Sequence, residues 1–85
     1  MDADQEGPSK RQGSLEGRAA NHFEVAFTQF DFLIDFGQEY ENSGPPILHT
    51  RIILTPHAAE TLTSMLTELI AEYHRTVGTI AERKP

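Results

Sequence analysis

Two runs of alternating side chains, set almost end to end, constrain this chain more than any other feature. In HFEVAF, Phe23, Val25 and Phe27 alternate with His22, Glu24 and Ala26. In FDFLIDF, Phe30, Phe32, Ile34 and Phe36 alternate with Asp31, Leu33 and Asp35. Successive strand side chains point to opposite faces, so a period of two predicts a strand with one covered face. Neither run holds glycine or proline, which strand interiors disfavour. A tight turn at Thr28-Gln29 pairs the runs as a hairpin, with Phe27 facing Phe30, Val25 facing Phe32 and Phe23 facing Ile34. A four-residue loop from Phe27 to Phe30 keeps the same register. No Asn-Gly or Asp-Gly marks the turn, so the register rests on the hydrophobic match. The ring-rich face is read as core rather than as the lining of a ligand pocket, because aromatic rings dominate core burial.

GQEYENSGPP, residues 37–46, reads as a loop bracketed by Gly37, Gly44 and a proline pair, long enough for a mobile flap. ILHTRIILT follows as a third strand. Leu48, Thr50, Ile52 and Leu54 fall on one face; Ile47, His49, Arg51 and Ile53 fall on the other. Both faces are partly apolar, which predicts cover on two sides. A helix starts at Thr55, an N-cap residue, with Pro56 at its first position, where a missing N–H is harmless. Ala58, Leu62, Met65, Leu66, Leu69, Ile70, Tyr73 and Val77 form an amphipathic stripe, and Gly78 supplies a stop. The expected fold is α+β: a three-stranded antiparallel sheet in the order β-β-β-α, with the helix packed across its phenylalanine face. Residues 21–80 form the single domain, residues 1–20 a disordered tail and residues 81–85 a short C-terminal tail.

A chain of 85 residues without cysteine has neither disulfides nor thiolate metal sites to reinforce a small core. Association of copies is the remedy left. A homodimer is expected on the second sheet face, through Leu33, Ile47, Ile53, His49 and Arg51, or on a sheet edge. The net charge is −6, and residues 22–78 hold eight acids against Arg51 and Arg75. Such a balance repels phosphate backbones and argues against nucleic acid as a partner. No window approaches the ~20 apolar residues of a membrane span, and no apolar leader is visible, so the expectation is a cytoplasmic protein.

Polar side chains offer little chemistry. His22, Asp35 and His49 are weak candidates for a metal or acid–base set on the outward sheet face, with His22 expected opposite Asp35. Cross-strand pairs of opposite charge are ordinary on such a face. His57 stands in the first helical turn, and His74 and Arg75 suit the negative end of the helix dipole. No phosphate loop, nucleophile elbow, dinucleotide fingerprint or calcium loop occurs, and no cofactor is expected.

The ordered region resembles a known family. AN at residues 20–21, DFLIDFG at 31–37, RIILTP at 51–56, Leu62, and Tyr73 with Gly78 and Ile80 are similar to the domain-of-unknown-function family number 3467. The resemblance covers about residues 20–80. It implies a small bacterial or archaeal protein and supplies no catalytic residue. At the level of fold alone, the plan also resembles SecB-type export chaperones. The first functional expectation is a non-enzymatic protein-binding or assembly module. A chaperone or antitoxin-type inhibitor would share that surface. A small metal-dependent hydrolase using His22, Asp35 and His49 is the competing class.

Overall fold

The computed structural model describes residues 15–81. Three strands, β1 (His22–Phe27), β2 (Phe32–Gln38) and β3 (Ile47–Leu54), precede one helix, α1 (Pro56–Thr76). The strands form one antiparallel sheet in the order β1-β2-β3, so the fold is α+β with the expected element order. The expected tails fall mainly on residues 1–14 and 82–85, which lie outside the described residues.

The hairpin register differs by two residues from the expectation. Phe27 pairs with Phe32, Val25 with Ile34 and Phe23 with Phe36. Turn chemistry decides it. Thr28 N–H donates to Asp31 O at 2.8 Å. The Thr28 hydroxyl accepts from the N–H groups of Phe30 and Asp31, each at 3.1 Å. A threonine that satisfies the turn amides in this way removes the need for a glycine. Phe30 is thereby drawn out of β2 into the turn, where it stays exposed. A slip of two conserves side-chain direction, so the remaining rings still share one face. Phe23 and Phe36 meet edge-to-face at a centroid distance of 5.6 Å, and Phe27 and Phe32 lie at 5.6 Å with tilted planes.

β2 continues through Gly37 and Gln38, which the sequence places in the loop. The β2–β3 ladder shifts register there: Phe36 faces Thr50, whereas Gly37 faces Leu48. His49 is the extra residue of a bulge, which breaks the strict alternation expected of β3. Gly37 is the one buried residue among those described. A Cβ on it would lie 2.5 Å from Ile47 O and 3.0 Å from Leu48 Cα, so only glycine lets the two backbones approach this closely.

α1 begins and ends as expected. The Thr55 hydroxyl accepts from Ala58 N–H at 3.1 Å, and Pro56 opens the first turn. Val77 N–H and Gly78 N–H both donate to Tyr73 O, and Gly78 adopts a φ of 126°, a conformation natural to glycine. The helix does not lie across the phenylalanine face of its own sheet. It meets the sheet chiefly where it leaves β3, and none of its residues is buried. Only Thr55 separates β3 from α1, in an extended conformation (φ −66°, ψ 157°) that the following proline favours. One extended residue ahead of a fixed proline φ leaves no slack for the helix to fold back.

Candidate functional site

With the helix swung away, the chain presents apolar surface where a core was expected. On the phenylalanine face, Phe23 is 54% exposed and Phe27 is 74% exposed, while Phe32, Ile34 and Phe36 on the central strand are half-buried by their neighbours. On α1 and its C-cap, Leu62, Met65, Leu66, Leu69, Ile70, Tyr73 and Val77 all remain exposed, from 36% at Leu62 to 66% at Val77. Complete burial of such a side chain stabilises by about 1.5–3 kcal/mol, so the half still wet on these seven represents roughly 5–10 kcal/mol. That is comparable to the whole stability of an ordinary small domain, about 5–15 kcal/mol. Uncovered apolar area therefore outweighs any local polar contact in the energetics of this fold.

The opposite sheet face is organised around an ion pair. Arg51 donates to both oxygens of Asp35, from Nε at 2.7 Å and from a terminal nitrogen at 2.8 Å. They are cross-strand neighbours in the β2–β3 ladder. The hydrogen bonds from Arg51 hold the Asp35 carboxyl below the usual carboxylate range, and those to Asp35 raise the guanidinium of Arg51. Beside this pair, Leu33 sits between Ala26 on β1 and Ile53 on β3. Leu33 is half-buried and Ile53 is exposed.

The expected interface set is thus only partly assembled. Leu33, Arg51 and Ile53 share this face. The bulge removes the other two: Ile47 lies beyond it opposite Gln38, and His49 turns towards the N-terminal segment beside Phe36. His49 Nε2 donates to Ala19 O at 3.0 Å, which leaves Nδ1 to accept from the Thr50 hydroxyl at 2.7 Å.

The metal candidates are also separated. The two-residue change of register sets His22 opposite Gly37 and Glu24 opposite Asp35. His22 instead engages Glu24 on its own strand at 3.0 Å. Asp35 is held by Arg51, and His49 by Ala19 and Thr50. No group of three His, Asp or Glu side chains converges among the described residues.

Two contacts of the N-terminal segment escape the sequence reading. Arg18 donates to His49 O and to the Thr50 hydroxyl, each at 3.3 Å, so the chain ahead of residue 21 already engages β3. Asn21 clasps Glu39 with its side-chain amide: Oδ1 accepts from Glu39 N–H at 2.7 Å, and Nδ2 donates to Glu39 O at 3.0 Å. The amide imitates a backbone pair and extends the β1–β2 ladder by a step. An asparagine just ahead of a strand was the available signal, since its amide both donates and accepts.

Fold and surface together define a small α+β protein with an open sheet and a projecting amphipathic helix whose apolar stripe is exposed. Residues 11–82 match the family described as "Protein of unknown function (DUF3467)", and the chain belongs to it. No curated protein and no solved structure matches, so the likeness to SecB-type chaperones has no structural support. No helix among the described residues is long and apolar enough to cross a membrane.

Proposed function

We propose that this chain is a non-enzymatic assembly module that works as a homo-oligomer and offers a sheet face or edge to protein partners. The carrying observation is that the described protomer buries no large apolar side chain, while its helix stripe and phenylalanine face stand open. Contiguous apolar surface of this kind, on a helix stripe and a sheet face at once, is characteristic of interaction surfaces. The second face adds Leu33 and Ile53, apolar residues beside a fixed Asp35–Arg51 pair that gives the surface a polar rim. β1 and β3 leave two sheet edges to which an extended segment can add.

The test is the mass in solution. Light scattering on the full chain is expected to give a multiple of 9.5 kDa. Leu66→Lys, which places a charge in the middle of the open helix stripe, is expected to lower that mass. A stable, folded monomer of the unaltered chain defeats the proposal.

A further inference from the structure

The stripe on α1 is more regular than burial against a sheet requires. Ala59, Leu62, Leu66, Leu69 and Tyr73 recur at steps of three, four, three and four. That mean spacing of 3.5 is the seam of two helices wound side by side, with Met65 and Ile70 flanking it. We propose that the seam is covered by the α1 of a second copy, running antiparallel across a two-fold axis that passes between Thr67 and Glu68. The inference rests on the homo-oligomer proposed above and names the surface that joins two of its copies.

The register follows from the seam itself. An antiparallel pair sets Leu66 against Leu69 of the partner subunit and Leu62 against Tyr73 of the partner subunit. Ala59 then meets Thr76 of the partner subunit, a small residue at each end. Every layer is apolar or small, and the two-fold makes each occur twice, as an isologous contact demands.

The helix dipoles select the direction. In this register Glu60 stands level with Arg75 of the partner subunit. Glu68 stands level with the partner's Thr67, and Glu72 with the partner's Thr63. A parallel pair would set each of these acids level with its own copy and would align the two helix dipoles. The two sheets lie at opposite ends of the helix pair, one at the N-terminus of each α1.

The chain holds no cysteine, so single cysteines at exposed helix positions report without background. Spin labels at Thr67→Cys, Glu60→Cys and Arg75→Cys, each on the full chain, measure the distance between copies. At a rise of 1.5 Å per residue, labels at 67 stand within about 2 Å of one level, whereas labels at 60 or at 75 are offset by about 22 Å along the axis. The expected result is a short distance at 67 and long, matching distances at 60 and 75. Equal short distances at all three sites mean a parallel pair and overturn the proposal. Long distances at 67 in an intact oligomer mean that a different surface joins the copies, which overturns this inference alone. A monomer overturns both this inference and the homo-oligomer.

Discussion

Replacing Gly37 with alanine sets two opposed effects against each other at one atom. Gly37 is not among the glycines with positive φ, which are Gly44 and Gly78 among the described residues, so its backbone conformation is open to alanine. On conformational entropy alone, Gly37→Ala would stabilise by about 0.4–1 kcal/mol. The added methyl, however, meets Ile47 O at 2.5 Å and Ile47 C and Leu48 Cα at 3.0 Å. All three are backbone atoms of the bulged ladder, and none can rotate aside. Overpacking of this kind typically costs about 1–3 kcal/mol, and rigid backbone atoms put this site towards the upper end. The steric effect therefore wins, with a net loss of roughly 1–2 kcal/mol after the entropic gain is set against it. Thermal unfolding by circular dichroism, at one fixed protein concentration, is the assay; each kcal/mol lowers Tm by about 4–8 °C in a domain of this size. Gly17→Ala serves as the reference, since nothing lies within 4 Å of its added Cβ. A Gly37→Ala chain as stable as the parent would refute the close approach of β2 and β3 at the bulge.

Thr28→Ala removes the hydroxyl that accepts from Phe30 and Asp31, and is expected to destabilise by about 0.5–1.5 kcal/mol in urea unfolding. An unchanged midpoint would mean that hydrophobic pairing alone fixes the hairpin register. Asp35 has a lowered pKa in the folded chain, so its contribution to stability is present above the ordinary aspartate value near 4 and is lost as pH falls through the lower folded value. Asp35→Asn is expected to reduce the steepness of acid destabilisation below about pH 4 in urea melts taken across that range, and an identical slope would show that the Arg51 pair has no net linkage.

The parts of the fold legible in the sequence are those that depend on local periodicity or on caps. The shared face of Phe23, Phe27, Phe32 and Phe36 follows from alternation, which survives a slip of two. The register itself does not, because it is decided by the hydroxyl of Thr28 rather than by apolar matching. Thr55, Pro56 and Gly78 mark the helix ends in sequence as they do in the fold. Ile47 and His49 leave the face of Leu33, Arg51 and Ile53 because one bulge inverts the alternation, and its signal is a glycine inside a strand pattern, which the sequence reading places in the loop. The position of α1 was not legible for a different reason. Amphipathicity states that a stripe must be covered and is silent on whether the cover comes from the same chain.

The junction at Thr55–Pro56 makes α1 a lever. A helix of 21 residues is about 31 Å long. With one extended residue as its fulcrum, a tilt of about 5° at the end of β3 carries the far tip through roughly 3 Å, close to half a helical turn. Substitutions that alter sheet twist, above all around the His49 bulge, are thus amplified at the distal end, and remote strand positions gain influence over where that tip can dock.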